Sequence, residues 1–277
     1  MASSCEPRPP GLAVAARKSY HFRMTHAILG HTGFVGSNLA RQLPGGELFN
    51  SQNIADIRGR KFDTVYCAAV RAEKWKANKE PDADRAGIAE LLGHLDQLTC
   101  DRFVLISTVD VYANPVGVDE DTPIDPAAAT AYGRHRYEFE LEAAKRFDTT
   151  VIRLPGLFGD GIKKNVIFDL LTNNLVENIH PGGVYQYYNL DRIASDIALT
   201  LAAGLRVVNF GTEPVSTADV ARVAFGRELP EKSTPAGRYD MRTKHAEIYG
   251  GHGGYLCDRE RVLADLVAFV IRFPGRA

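Results

Sequence analysis

The stretch Ala27-Ile28-Leu29-Gly30-His31-Thr32-Gly33-Phe34-Val35-Gly36-Ser37-Asn38-Leu39-Ala40-Arg41 decides how the chain folds. A short apolar run leads into glycines at 30, 33 and 36, and an apolar-periodic segment follows to Leu43. That pattern reads as a strand, a tight turn and a helix. Backbone without side chains can approach a pyrophosphate closely, and the helix start offers free N–H groups and the positive end of its dipole. In this context the glycines point to a dinucleotide site; an ordinary glycine-rich turn is the competing reading.

Outward from the turn, strand-like and helix-like stretches alternate. Glu47–Asn50 reads as a short strand, Asp63–Ala69 as a buried strand and Ala86–Leu98 as an amphipathic helix. Arg102–Ser107 and Thr150–Leu154 read as strands on either side of a helix over Tyr132–Arg146. A helix over Asp191–Ala203 precedes a strand over Arg206–Phe210. Strand–helix alternation predicts a parallel sheet covered on both faces. Gly156–Tyr188 and Glu213–Arg259 are richer in loops, Gly and Pro. They predict a small lobe beyond the strand ends, where open α/β sheets bind ligands. Ser216 and Asp258 are N-cap residues for its helices.

At 277 residues, 45% hydrophobic and with a net charge of −1, the chain is globular and carries no basic field for nucleic acid or an acidic membrane. No apolar run reaches membrane-span length. Cysteines at 5, 67, 100 and 257 lack metal-ligand spacing, and reduced buried thiols in a cytoplasmic protein are expected, with no metal. Residues 1–23 read as a disordered leader, or as sequence upstream of a start at Met24.

Four ordered landmarks then become specific: GHTGFVG at 30–36, DTVYCAA at 63–69, ISTVDVY at 106–112 and YGRHR at 132–136. Together they resemble the extended short-chain dehydrogenases/reductases, the superfamily of NAD(P)-dependent sugar-nucleotide epimerases, dehydratases and reductases. The resemblance runs from Ala27 to Phe273. It implies a Rossmann-type doubly wound parallel sheet with a small C-terminal substrate lobe. Residues 24–155 with 189–212 would form the NAD(P)-binding core, and 156–188 with 213–277 the lobe.

The resemblance also implies site residues. Gly30, Thr32, Gly33, Phe34, Val35 and Gly36 would hold the pyrophosphate. Asn50 and Ser51 stand where an acidic residue marks NAD and a basic one NADP, so the choice stays open. Asp56 and Ile57 match an acid-plus-aliphatic pair against adenine. Ala68 and Ala69 would let the cofactor cross the strand tips. Ser107, Pro155 and Leu157 would lie along the nicotinamide, and Thr108 would bond the reacting oxygen.

Tyr132 is the implied acid/base. A phenol of ordinary pKa about 10 needs a nearby cation to move a proton near neutral pH. The family places Lys four residues on; this chain has Arg136, which keeps the charge and can donate to ribose hydroxyls but does not release a proton. A second departure is Asp84, where the family usually has Asn. Arg71, Lys74, Lys164, Asn165 and Gln186 are candidates for a phosphate-bearing small-molecule substrate, with Arg238 and Lys244 as further basic positions. A homodimer is compatible with this reading. The expected activity is hydride transfer at a hydroxy or keto carbon of a nucleotide sugar. The two departures also leave open a catalytically weak or inactive NAD(P)-binding redox sensor or interaction protein. Gly33→Asp sets a carboxylate against pyrophosphate and is expected to abolish NADH and NADPH binding in a fluorescence titration; unchanged affinity would place the site elsewhere.

Overall fold

A computed structural model describes residues 25–273; the expected leader lies outside them. Six parallel strands form the central sheet: β1 (His26–Leu29), β2 (Glu47–Phe49), β3 (Lys61–Cys67), β4 (Thr99–Thr108), β5 (Thr149–Leu154) and β6 (Val207–Asn209). Their order is β2-β1-β3-β4-β5-β6. The chain steps from β1 to β2 on one side and returns with β3 on the other. The carboxyl ends of β1 and β3 therefore flank a topological switch point. The 3-2-1-4-5-6 order of a six-stranded Rossmann sheet has one more strand beyond β2; in this sheet β2 is the edge.

Strand side chains alternate between two cores, as a period of two requires. Ala27, Leu29, Val65, Phe103, Leu105 and Val151 share one core with Ile88, Leu91 and Leu95 of α3 (Pro81–Leu95) and Phe139 and Ala143 of α4 (Ala131–Arg146). Their neighbours Ile28, Val104 and Ile152 face Leu39 of α1 (Phe34–Gln42) and Ile193 and Ile197 of α6 (Ile193–Ala202). The sheet is thus covered on both faces. α3 starts earlier than the apolar period suggests, because Pro81 stands at its first turn, where a missing N–H costs nothing.

A third core joins α5 (Val166–Thr172), α7 (Thr217–Phe225) and α8 (Arg259–Arg272) through Ile167, Leu170, Val220, Val262, Leu266 and Phe269. Ser216 caps α7 by accepting from Asp219 N, and Asp258 caps α8 by accepting from Arg261 N. α5 stops at Thr172, because Asn173 turns left-handed (φ 54°). Among the described residues no helix is long and apolar enough to cross a membrane. Cys67 is buried, whereas Cys100 and Cys257 are only partly so, which corrects the expectation of full burial; all three are free thiols.

Gly30 has φ +81°, and a Cβ there would collide with the Ala68 carbonyl just beyond β3. Gly59 has φ +72°, but no atom lies within 4 Å of where its Cβ would stand. Gly30→Ala is expected to destabilise the fold by at least about 2 kcal/mol, and Gly59→Ala by only about 1 kcal/mol. Urea unfolding midpoints of the two variants check this ordering.

Candidate active site

The glycine turn closes on itself at the switch point. Gly30 N donates to Phe49 O at 2.8 Å and Gly33 N to Gly30 O at 2.9 Å. A Cβ on Gly36 would overlap the Gly30 carbonyl, so α1 can start this close to β1 only with glycine there. Gly33 is the N-cap of α1, extended at φ −78°, ψ 169°, and no side chain caps the helix. Its first-turn N–H groups, from Phe34 onward, have no side-chain acceptor, and Thr32 and Gly33 are exposed beside them. Bare N–H groups at a nine-residue helix start, reached over side-chain-free backbone, fit a dinucleotide diphosphate. The half-exposed Ala68 and Ala69 border this turn.

At the end of β2, Asn50 closes an Asx-type turn: its Oδ1 accepts from Gln52 N at 2.8 Å, and its Nδ2 lies 3.3 Å from His31 Nε2. Ser51 is exposed. Asp56 is exposed, but Ile57 has no accessible surface and packs the α3 core.

Tyr132 stands on the first turn of α4, which Thr130 caps by accepting from Gly133 N. The Tyr132 backbone N–H donates to Asn78 Oδ1 on α2 (Lys74–Lys79) at 2.9 Å. Gly133 is obligatory, because a Cβ there would collide with the Asp110 carbonyl. The phenol is 7% exposed, and burial raises its pKa above the ordinary value, with Arg136 acting against the rise. The Arg136 guanidinium lies 4.0 Å from the Tyr132 ring centroid.

Arg136 is already engaged. It grips the Asp84 carboxylate with both terminal nitrogens, Nη2 to Oδ1 at 2.9 Å and Nη1 to Oδ2, and Nη2 also donates to Arg71 O at 2.5 Å. His135 Nδ1 lies 2.8 Å from the same Asp84 Oδ2. The two terminal nitrogens of Arg136 are taken by Asp84 and the Arg71 carbonyl, whereas its buried Nε has no hydrogen-bond partner among the described residues. The two departures from the family pattern are one ion pair. His135 is 3% exposed and packs within it.

Beyond Tyr132 a cleft of about 320 Å³ is lined by Lys74, Thr108, Asp110, Pro155, Tyr185 and Tyr239, among others. Lys74 Nζ lies 2.7 Å from Asp110 Oδ1, and Tyr239 OH donates to the same oxygen at 3.2 Å. Thr108 Oγ1 accepts from Asp110 N at 3.2 Å. Ser107 is buried and its hydroxyl donates to Glu140. Glu140 in turn pairs with Arg153 at 2.7 Å, and Arg153 donates to Tyr112 OH at 2.7 Å. This buried network fixes the ends of β4 and β5 beneath the cleft.

The substrate candidates separate. Lys74 lines the cleft, and Arg71, three residues before it, is exposed. Lys164 donates to the Ala72 carbonyl in the same stretch. Asn165 lines the cleft but caps α5, accepting from Ile167 N at 3.0 Å and donating to Leu157 O at 2.8 Å. Gln186 lines the cleft, is 1% exposed, and its amide pins the Met241 backbone from both ends. Leu157 is half-buried, pairing with Tyr188 beside the cleft. Lys244 pairs with Asp121 at 2.6 Å, and Arg238 is exposed. The late segment instead contributes Tyr239, which has no sequence signal. Among the described residues no group of three or more His, Cys, Asp or Glu could hold a metal.

Removing one member of the nearly buried Asp84–Arg136 pair strands a charge. Arg136→Met is expected to cost about 3–5 kcal/mol, and Asp84→Asn with Arg136→Lys much less than the single change. Burial opposes the Asp84 charge, but Arg136 and His135 more than offset it and hold its pKa below the ordinary carboxylate value. The contribution is therefore present above the unfolded-state pKa of about 4 and is lost as pH falls through the lower folded value. Urea unfolding of the two variants across that range checks both statements.

A model of the NAD dependent epimerase/dehydratase family matches residues 44–189. No curated protein matches the chain in sequence. Among solved structures, it is similar to TunA, an NAD-dependent NDP-hexosamine 5,6-dehydratase of tunicamycin biosynthesis, at 19% identity and TM-score 0.65, over 84% of this chain and 93% of that one. It is also similar to a UDP-glucose 4-epimerase from Thermotoga maritima, at 17% identity and TM-score 0.67, over 90% and 98% of the two chains. RMD from Pseudomonas aeruginosa, solved with NADPH, aligns at 16% identity and TM-score 0.69, over 89% and 98%. These likenesses are of fold. With more than half of its length matched by the family model, the chain belongs to the NAD-dependent epimerase/dehydratase family.

Proposed function

We propose that this protein binds NAD(H) or NADP(H) along the carboxyl edge of the sheet and acts on a hydroxy or keto carbon of a nucleotide sugar. The observation that carries this reading is the uncapped start of α1 at the β1/β3 switch point, in a fold whose cleft is lined by Thr108 and by Asp110, the residue against whose backbone Gly133, next to Tyr132, packs. Gly30–Gly36 would hold the diphosphate, and Thr108, Pro155 and Leu157 would border the nicotinamide. When bound, the nicotinamide supplies or accepts the hydride. Thr108 orients the substrate oxygen, and Tyr132 gives it a proton in reduction or takes one in oxidation. Arg136 holds the Tyr132 ring by stacking. Nucleotide sugars are the substrates named for several solved relatives, UDP-glucose among them. The exposed Arg71, three residues before the cleft-lining Lys74, would set positive charge near a sugar diphosphate.

Neither an acid nor a base closes β2, so both cofactors remain admissible. A second reading, binding without turnover, draws on the occupied guanidinium of Arg136. Titration of NADH and NADPH fluorescence is expected to show binding of at least one; failure of both would overturn the proposal. With UDP-glucose and related nucleotide sugars, Tyr132→Phe is expected to lower turnover by roughly 10²–10⁴-fold while sparing cofactor affinity. Binding with no turnover across such substrates would favour the second reading.

A further inference from the structure

The arm over residues 71–79 is tied to the acid/base residue and its surroundings at four points. The Arg71 carbonyl accepts from Arg136, and the Ala72 carbonyl from Lys164. Lys74 pairs with Asp110, and Asn78 accepts the Tyr132 backbone N–H. Lys74 and Asn78 stand one helical turn apart on α2, so one face of this helix serves the start of α4. On the other side, Gly133, the residue after Tyr132, packs directly on the backbone of Asp110, whose side chain holds Lys74. Asp110 also touches Thr108, whose Oγ1 lies 3.5 Å from Oδ2.

We propose that Lys74 and Asp110 act as one charge pair that governs the protonation of Tyr132 from the cleft side. This rests on the reading of Tyr132 as the acid/base, but the coupling is testable in the free protein without cofactor or substrate. The need for such a pair follows from Arg136. A guanidinium does not give up its proton, and this one is locked to Asp84. The helix-side position therefore supplies one fixed charge, which Asp84 already partners. Lys74 is an amine, its side chain is 44% exposed, and the cleft connects it to solvent. It is a positioning residue in this scheme and acts on the substrate only through Tyr132.

The charged and titratable groups facing Tyr132 are Arg136 from its own helix, Asp110 from the turn after β4 and Lys74 from α2. Tyr239 faces the Lys74–Asp110 pair from the late segment, and Asp84 and His135 face Arg136. Asp110 and Lys74 act on the phenol with opposite sign: the carboxylate disfavours phenolate and the ammonium favours it. Burial works against the Lys74 ammonium, and Asp110 and Tyr239 more than offset it, so Lys74 stays charged through the neutral range.

The test is NMR of the full chain carrying ring-labelled tyrosine, with Tyr132→Phe identifying the resonance and pH as the variable. Lys74→Met is expected to move the Tyr132 midpoint up by about one unit or more, and Asp110→Asn to move it down. Lys74→Arg keeps the charge and is expected to restore the wild-type midpoint. Opposite shifts with restoration by Arg support the pair; a midpoint unmoved by Lys74→Met, or moved the same way by both single changes, overturns it. NADH and NADPH binding is measured on the same samples. Loss of both in the wild type would overturn the cofactor reading, while the titration of the free protein would still decide the coupling.

Discussion

The meeting of two backbone segments at the switch point, Gly30 against Ala68, is the constraint on which the rest of the structure depends. β1 and β3 are hydrogen-bonded neighbours, yet the chain leaves β1 to form β2 on its far side before it returns. The turn after β1 must therefore clear the end of β3 at close range. Any side chain at Gly30 would strike the Ala68 carbonyl, and any at Gly36 would strike Gly30. Once those clearances are met, the start of α1 lies over the strand ends with its N–H groups uncapped. Steric necessity in the fold and an anion site at the helix start have the same cause.

Behind that edge the polar residues are as tightly arranged as the apolar ones. Glu140, Arg153, Tyr112 and Ser107 are all buried, and each has a partner. Such a network is costly if half satisfied and rigid if complete. Its position under Thr108 and Pro155 means that two walls of the cleft stand on a fixed floor. The outer side of the cleft, the 71–79 arm, is held instead by backbone carbonyls and by one ion pair.

The glycine turn was legible because no other residue can replace glycine at φ +81° against a carbonyl. The strands were legible because their apolar residues repeat with period two and fall into two cores. Other features leave no such pattern. Ile57 after Asp56 reads equally as a surface pair or a buried anchor, because a four-residue 3-10 turn has too little periodicity to separate them. Tyr239 meets Asp110 from 129 residues away, across an irregular segment with nothing to place it. Gln186 and Ser107 look like free polar ligands until their buried partners are known.

Arg136 and Asp84 mark the limit of reading positions one at a time. Each taken singly is a departure that weakens the case for proton transfer. Separated by 52 residues, they meet as a bidentate pair, and His135 joins them. An amide at position 84 would offer the guanidinium one oxygen and no charge; a lysine at 136 would leave half of a carboxylate unpaired. Each replacement therefore requires the other; relative to a lysine with an asparagine, the pair lowers the net charge by one and removes the amine from the helix side of Tyr132. That amine's nearest counterpart is Lys74, on an arm that α4 itself holds through Tyr132 and Arg136. The substitution that closes one side of the phenol thus fastens in place the element that carries an amine on the other.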